Sequence, residues 1–498
     1  MQKKSAMFIL LAILCVIVYW PILKYPYVQD DWHVLKVVLD SDGQTPLIAK
    51  LFPEGQMMYR PLPWLYFALV TRFTGIDPSL HHILAMLLHT CTSLLVFLIV
   101  RRLGQKEPVP TLTALIYLAA LGVHMDPLLW LVGTYDLAAA FFFYLSIALF
   151  LRGKDFWSPV AFGAALLCKE AALPLPAILF LILLLNRKET LHSIVRRLWP
   201  HVLVFSVYFV LRNSSSMPLL QVSTNPYAMS FSVARAFESV WTYLRWLAEA
   251  TVPLVKSTAL MSLIILTVSV LLAVRAGAVL WNRDSRKATF SVPPDFLLWP
   301  AWVIAGFLPV LFLTDHAYRY YLTYSLVPAI VMVLWIIGQV IRLFGISHRH
   351  EGIVLIGYAI VSIGFSTAFL YMQDAERWRE RPLSGTNRLI GKASEVMQVQ
   401  NYLQDNQAQI ARHSVLLLDG LDGSLFGGSL GPQVWLKDST VRVFPSSWAI
   451  RVGDSLLIDE KNGKQVRVGL GGVHRLEAEM EGGNWTGKIV GRGATLSP

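Results

Sequence analysis

The sequence predicts an all-α polytopic membrane protein with a small β-rich region at its C-terminus. Of the 498 residues, 55% are hydrophobic and only 15% are charged, whereas soluble domains carry about 25% charged residues. Many apolar runs are as long as the ~20 residues that a helix needs to cross a bilayer, and in lipid only helices or closed barrels satisfy their backbone. The composition changes near Gln373, which predicts a transmembrane part over residues 1–372 and a soluble part over residues 373–498.

Eleven apolar segments are predicted to be transmembrane helices, and the two that flank Lys169 are short enough to form one broken helix. The segments cover residues 6–23, 79–100, 109–124, 134–151, 157–168, 171–186, 198–212, 255–280, 297–313, 320–342 and 352–372. Three other segments are predicted to be interfacial helices lying on the bilayer. Two of them, residues 33–41 and 59–73, are apolar and aromatic but too short to span. In the third, residues 230–250, apolar and polar residues alternate at helical spacing.

Lysine and arginine set the predicted orientation. With the N-terminus in the cytoplasm, every cytoplasmic connection is basic, as the positive-inside rule requires. These connections contain Lys3, Lys4, Arg101, Arg102, Lys106, Arg152, Lys154, Arg187, Lys188, Arg196, Arg197, Arg275, Arg283, Arg286, Lys287, Arg342 and Arg349. The formal net charge of +11 is therefore better explained by membrane topology than by nucleic-acid binding. The C-terminal 126 residues are predicted to be extracytoplasmic.

The other polar features all fall on the predicted outer side, which suggests a single polar cavity there. Asp30 and Asp31 follow the first helix in YVQDDW and are candidate general bases for an acceptor hydroxyl. The alternative is a solvated turn in which Asp31 is the N-cap of a helix over 32–40. MMYRPLPW adds Arg60 to the same loop. Charged residues near membrane depth cost several kcal/mol and usually serve function.

Two further outer clusters combine charged and aromatic residues. Lys169 and Glu170 lie between two short helices in LCKEAALPLP, either as site residues or as a mutually satisfied ion pair. TDHAYRYYLTYS brings His316, Arg319 and Tyr320 to the start of a helix. Arg319 suits bidentate phosphate binding, or it belongs to an aromatic belt at the membrane interface.

Acidic and histidine residues on the apolar segments complete the candidate set. HMDPLLWLVGTYDLAA adds Asp126 and Asp136. HHILAMLLH places His82 and His89 on one helical face, where polar helix packing is favoured over metal ligation for His89.

The C-terminal region is predicted to contain a helix over 387–411 and then short strands. The strand candidates are SVLLLD, QVWL, TVRVF, SLLI, QVRVGL and HRLEAEM, separated by Gly, Asp and Asn. The glycine-rich stretch Asp419–Gly431 lacks both a GK[ST] ending and a following helix. It is therefore predicted to be a flexible β-connection rather than a phosphate loop.

Taken in order, YVQDDW, YRPLPWLYFAL, HHILAMLLH, GTYDLAAAFFFYLS, LLCKEAALPLP and YRYYLTYS resemble the GT-C superfamily of polytopic glycosyltransferases. The likeness is to the protein O-mannosyltransferase group, including the transmembrane-and-TPR O-mannosyltransferases and their bacterial relatives, and it covers roughly residues 10–330. The chain departs from that group in having Tyr318 where relatives often have Glu, and in its β-rich tail.

The resemblance implies transfer of a sugar from a polyprenyl-phosphate donor to an extracytoplasmic acceptor hydroxyl on a protein, lipid or glycan. It implies a catalytic base at Asp30 or Asp31, and donor phosphate held by Arg319, Lys169 and Arg60. The cavity would be lined by Glu170, Asp126, Asp136, His316 and Tyr320. One base with no covalent nucleophile implies inversion at the anomeric carbon, and a divalent cation near the acidic pair is left open.

The expected setting is a bacterial-type inner membrane, with the lipid bilayer and a polyprenyl-linked sugar as partners and no nucleic acid. Two alternatives belong to other classes of protein. A transporter or flippase of a lipid-linked or anionic substrate predicts pseudo-symmetric halves and charges at mid-membrane depth. A membrane scaffold that presents the C-terminal region predicts no carboxylate in the cavity.

Overall fold

The structure is a computed structural model of a mostly helical protein. The residues that it describes are 2–40, 52, 58–185, 189–215, 229–252, 294–313, 316–343, 348–375, 387–410, 414–452, 455–459, 465–469, 473–481 and 484–493. The predicted helix over 255–280 lies outside the described residues, as does Asp315 next to the predicted site.

Helices make up most of the described residues in the N-terminal three quarters of the chain. They are α1 Gln2–Tyr19, α2 Asp30–Asp40, α3 Pro61–Thr74, α4 Pro78–Arg102, α5 Val109–Ala119, α6 Leu121–Leu129, α7 Thr134–Phe150, α8 Trp157–Cys168, α9 Leu175–Leu185, α10 Leu191–Asn213, α11 Val233–Thr251, α12 Leu298–Phe307, α13 Thr323–Leu343 and α14 His348–Ala375. Short 3-10 helices at Trp20–Lys24, Leu131–Gly133, Glu170–Ala172 and Arg319–Leu322 connect several of them. Helices α2, α3 and α11 are the three helices predicted outside the spans.

Within the described ranges, six helical stretches are long and apolar enough to cross a membrane, as in a multi-pass membrane protein. They are Lys4–Lys24, Pro78–Arg102, Leu131–Phe150, Leu191–Asn213, Arg319–Arg342 and His350–Ala375. The described residues also contain three shorter apolar helices, at Trp157–Cys168, Glu170–Leu185 and Leu298–Val310.

The predicted single helix over 109–124 is wrong, because the structure divides it into α5 and α6, bent by 49°. Ala120 takes φ −72° and ψ 75°, and its N–H returns to the Tyr117 carbonyl. The Ala120 carbonyl then accepts from the N–H groups of Val123 and His124 and starts α6. Composition alone does not reveal this bend, since the residues on both sides of it are apolar.

Two of the predicted basic connections, those with Arg102 and Arg197, meet at the C-terminal end of α7. Arg102 donates to the Leu151 carbonyl at 3.1 Å, and Arg197 pairs with Asp155 at 3.4 Å and Glu189 at 3.3 Å. The opposite end of α7 is the site end: Asp136 pairs there with Lys169, and Val132 bonds to Asp31. Arg60, Arg319 and the C-terminal region lie near it.

The C-terminal region combines two helices and two sheets. Helices α15 Arg388–Asp405 and α16 Leu430–Leu436 accompany strands β1 Val415–Asp419, β2 Arg442–Pro445, β3 Ala449–Val452, β4 Ser455–Asp459, β5 Gln465–Gly469, β6 Val473–Glu481 and β7 Asn484–Gly493. The larger sheet has the order β2-β1-β6-β7, in which β1 pairs parallel to both β2 and β6, and β7 is antiparallel. Strands β3, β4 and β5 form a separate antiparallel sheet.

Two predictions for this region are wrong. QVWL is not a strand but belongs to α16, and the glycine-rich stretch Asp419–Gly431 is followed by that helix. A four-residue apolar run does not distinguish a strand from a helix, and only its packing decides. Here β1, α16 and the parallel strand β2 form a β-α-β unit, so the glycine-rich loop lies at the carboxyl end of β1.

Candidate functional site

The two adjacent aspartates of α2 have opposite environments. Asp31 is fully buried, and its two oxygens accept hydrogen bonds from the backbone N–H groups of Val28 at 2.9 Å and Val132 at 2.7 Å. It lies inside the first turn of α2, which begins at Asp30, so the predictions of an N-cap or a solvated turn at Asp31 are wrong. Burial raises the pKa of Asp31 to about 7, although these hydrogen bonds lower it.

Asp31 joins two segments that are 100 residues apart in sequence. The Trp130 indole donates to the Val28 carbonyl at 3.2 Å, next to the bond from Val132 to Asp31. The segment around Val132 in turn packs tightly on α6, because a Cβ at Gly133 would lie 2.4 Å from the Pro127 Cα. The role of Asp31 is therefore to fix α2 against the start of α7.

Asp30 presents an exposed carboxylate beside this buried anchor. No hydrogen bond or ion pair from another described residue holds it. Surrounding protein raises its pKa above the ordinary value, while the nearby His33 and Lys392 lower it. Asp30 is thus the acidic residue of the pair that is free to accept a proton.

Lys169 and Glu170 do not pair with each other, so the predicted alternative of a mutual ion pair is wrong. Lys169 Nζ lies 2.7 Å from Asp136 Oδ2 in α7. The Arg60 guanidinium donates two hydrogen bonds to the Glu170 carboxylate, at 3.0 and 2.5 Å. All four side chains are at most 16% exposed. The chain reverses between α8 and α9, and this places both residues at the tip of the reversal.

The start of the Arg319–Leu322 helix covers this pair of ion pairs. Lys169 Nζ is 4.6 Å from the Tyr320 ring centroid and 5.3 Å from that of Tyr321, a cation–π geometry. His316 lies within electrostatic range of Lys169 and Arg60; burial and these two cations lower its pKa to about 4. His316 is therefore a neutral imidazole at the site.

Arg319 lies on the other side of the tyrosines. Its guanidinium is 2.5 Å from Glu249 and 5.2 Å from the Trp246 ring centroid, both in α11. Its side chain is 37% exposed, against 10% for Arg60 and 7% for Lys169. Among the three predicted phosphate ligands, Arg319 is the most accessible.

The structure brings most, but not all, of the predicted residues into this cluster. Asp126 accepts a hydrogen bond of 3.0 Å from Asn387, whose own side-chain oxygen caps the first helix of the C-terminal region. Asp126 therefore joins the helix bundle to that region. Sequence reasoning missed Glu249, Asn387 and Lys392, since nothing in the local pattern of each indicates its distant partner.

Tyr135 links the acidic and basic halves of the site and was also missed. Its side chain is buried, and its hydroxyl lies within electrostatic range of Arg60, Asp31 and Asp30. Its ring contacts Phe67 at 6.2 Å between centroids. The position within GTYDLAA, one residue before Asp136, is the only sequence signal for it.

The residues near Asp30 and Asp31 do not fit a divalent cation. Such a cation needs several convergent oxygen ligands, but both oxygens of Asp31 are engaged by backbone N–H groups. Within the described ranges, no three His, Cys, Asp or Glu residues are grouped to hold an ion. His82 and His89 bond instead to backbone carbonyls, His89 to Leu118 at 2.9 Å.

Comparisons with known proteins give no family for this chain. No protein-family model matches the sequence, and no curated protein matches it. The class that fold and composition define is a multi-pass membrane protein.

Asp31→Ala is expected to destabilise the protein by about 2–6 kcal/mol, because it leaves two buried N–H groups without an acceptor, at about 1–3 kcal/mol each. Asp31→Asn retains one acceptor oxygen and is expected to cost less. Thermal unfolding in detergent measures both.

The pH dependence of stability gives a second test, because the pKa of Asp31 is about 7 in the folded protein. Between about pH 4 and pH 7, Asp31 is ionised in the unfolded chain but still protonated in the folded protein. The free energy of unfolding of wild type should therefore fall over this range, whereas that of Asp31→Asn should not. Equal pH dependence of the two proteins would contradict a raised pKa at Asp31.

Proposed function

We propose that the protein is an inverting glycosyltransferase that moves a sugar from a polyprenyl-phosphate donor to an acceptor hydroxyl outside the cytoplasm. The observation that carries the proposal is the exposed Asp30 carboxylate, which α2 holds in place through the buried Asp31. A carboxylate that is fixed in place but unpaired can accept a proton from a substrate. The oxygens of a structural carboxylate are already engaged in hydrogen bonds or ion pairs.

Asp30 would take the proton of the acceptor hydroxyl as its oxygen attacks the anomeric carbon. The bond from that carbon to the phosphate oxygen breaks, and polyprenyl phosphate leaves with one more negative charge than it had in the donor. Retention would need a second carboxylate as nucleophile about 5 Å away. Asp31 is buried and committed to backbone N–H groups, which supports a single displacement with inversion.

The cations at the site end would stabilise the departing phosphate. Arg319, Lys169 and Arg60 each have one carboxylate partner, namely Glu249, Asp136 and Glu170. Arg319 is the most exposed of them and is the best placed to contact phosphate directly. Lys169 and Arg60, whose carboxylate partners are 8% and 16% exposed, would add positive potential behind Arg319.

The proposed topology keeps the orientation that the charges predict. Arg102 and Arg197 lie at the end of α7 opposite the Asp136–Lys169 pair, which supports a cytoplasmic location for that end and an extracytoplasmic one for the site and the C-terminal region. Eleven membrane crossings belong to the same proposal.

The test is release of polyprenyl phosphate from synthetic radiolabelled donors by the purified protein in detergent. The panel would vary the sugar and the chain length, with cell-envelope extract as acceptor and heat-treated protein as the control. We expect enzyme-dependent release of polyprenyl phosphate and a product with inverted anomeric configuration. No release from any donor would overturn the proposal and favour a transporter or flippase of the same lipid-linked substrate.

A further inference from the structure

The C-terminal region and the helix that carries Asp30 share one hydrophobic core. Trp32 and Leu35 of α2 pack in this core with Val399 of α15, Phe426 and Trp435. All five are less than 10% exposed. The C-terminal region is therefore not an appended module, because its interior is partly built from the proposed catalytic helix.

The contact between them is close at one point. The rings of Trp32 and Trp435 meet edge to face at 5.6 Å between centroids. Gly427, in the loop after β1, faces the backbone end of Trp32, and a Cβ at Gly427 would lie 2.7 Å from the Trp32 Cβ. A Cβ cannot swing aside as a side-chain tip can, so only glycine fits there. Gly428 has nearly the same left-handed φ, +64° against +68°, but open space around it.

The same loop also holds the residue before Asp30. Gln29 has φ +55°, a left-handed conformation that costs energy for a residue with a side chain. Its N–H donates to the Leu425 carbonyl at 2.9 Å, and its own carbonyl accepts from the Trp32 N–H at 3.0 Å. Strained backbone persists where its surroundings over-determine it, and such positions cluster at functional sites.

We propose that the loop over Leu425–Gly427 acts as a clamp that sets Asp30. By docking on Trp32 and bonding to Gln29, the clamp holds Gln29 in its left-handed conformation and so fixes where α2 begins and where the Asp30 carboxylate points. Gln29, Gly427 and Trp435 are positioning residues for the transfer reaction. This inference rests on the proposed function, but its structural half is testable without it.

The experiment compares Gly427→Ala with Gly428→Ala in the full-length protein. Both variants place alanine at a similar left-handed φ, whereas only in Gly427→Ala does the new Cβ meet Trp32. Hydrogen exchange of the peptide covering residues 28–36 reports on α2, and transfer kinetics report on Asp30. We expect Gly427→Ala to increase exchange in this peptide and to lower kcat by at least about 10-fold with donor KM unchanged. Gly428→Ala should match wild type in both.

Gln29→Gly supplies a rescue. Glycine reaches φ +55° without the clamp, so the double variant Gln29→Gly/Gly427→Ala should regain part of the lost kcat, which a loss of folding alone would not allow. If Gly427→Ala does not fold, Trp435→Leu takes its place as a milder loss of docking.

The outcomes separate the clamp from the proposed function. Equal hydrogen exchange in the two glycine variants overturns the clamp. Increased exchange of residues 28–36 in Gly427→Ala with a wild-type transfer rate overturns it as well. If wild type transfers no sugar but exchange changes as expected in Gly427→Ala alone, the proposed function fails while the clamp on α2 stands.

Discussion

Asp30→Ala is expected to lower sugar transfer by about 10³-fold, within the 10²–10⁴-fold range of general base catalysis, while thermal unfolding stays at the wild-type value. The reason is that the Asp30 carboxylate is exposed and no described residue binds it, so removing it breaks no contact. Initial rates of polyprenyl-phosphate release, with saturating donor, measure the effect. Asp30→Asn should behave in the same way, because the amide keeps the shape but is not a base.

Asp405→Ala is the matched control, since Asp405 is an exposed aspartate in the C-terminal region. It should leave the rate unchanged. A rate near wild type for Asp30→Ala would remove Asp30 from the mechanism, and a folding defect in that variant would show that its carboxylate has a structural partner.

The pH profile tests the same assignment from wild-type protein. The base must be ionised, and the pKa of Asp30 is raised because the surrounding protein disfavours its charge. Transfer should therefore fall as pH drops through a pKa above that of a free aspartate. Lys392 of the C-terminal region and His33 of α2 both lower the pKa of Asp30. The neighbouring Asp31 is buried. Lys392→Ala should accordingly move the acid limb to higher pH.

The site residues that depend on a local sequence pattern could be predicted from the sequence. Paired carboxylates after the first apolar segment, an arginine in the next loop and a charged break between two short helices are all visible in the order of residues. Helix α11 was also predictable from its amphipathic spacing. What these share is that a window of about 20 residues contains the whole signal.

The sequence does not predict which of Asp30 and Asp31 is buried, and the reason is geometric. Successive residues of a helix point about 100° apart, as 3.6 residues per turn requires. One neighbour faces Val132 and the other faces solvent, but the sequence does not state which face packs against the rest of the protein. The partners of Lys169 and Glu170 were missed for a related reason: Asp136 and Arg60 are 33 and 110 positions away.

Lys169→Met is expected to destabilise the protein by about 3–5 kcal/mol, because it leaves the Asp136 carboxylate buried without its cation. Both side chains are at most 8% exposed, so water cannot replace the lost partner. Thermal unfolding and the yield of folded protein in detergent measure the loss. Lys24→Met is the control: Lys24 also pairs with an aspartate, Asp374 at 2.6 Å, but it is 42% exposed, and exposed pairs contribute about 0–1 kcal/mol.

The double variant Lys169→Met/Asp136→Asn separates structure from chemistry at this pair. Removing both charges leaves neither one unpaired, so most of the stability should return. Transfer is then the informative measurement. If Lys169 supplies part of the field that stabilises the departing phosphate, the folded double variant should remain at least about 10-fold slower than wild type, as loss of electrostatic stabilisation predicts. If transfer returns together with stability, Lys169 and Asp136 only hold α7 against the tip between α8 and α9, and Arg319 carries the phosphate without them.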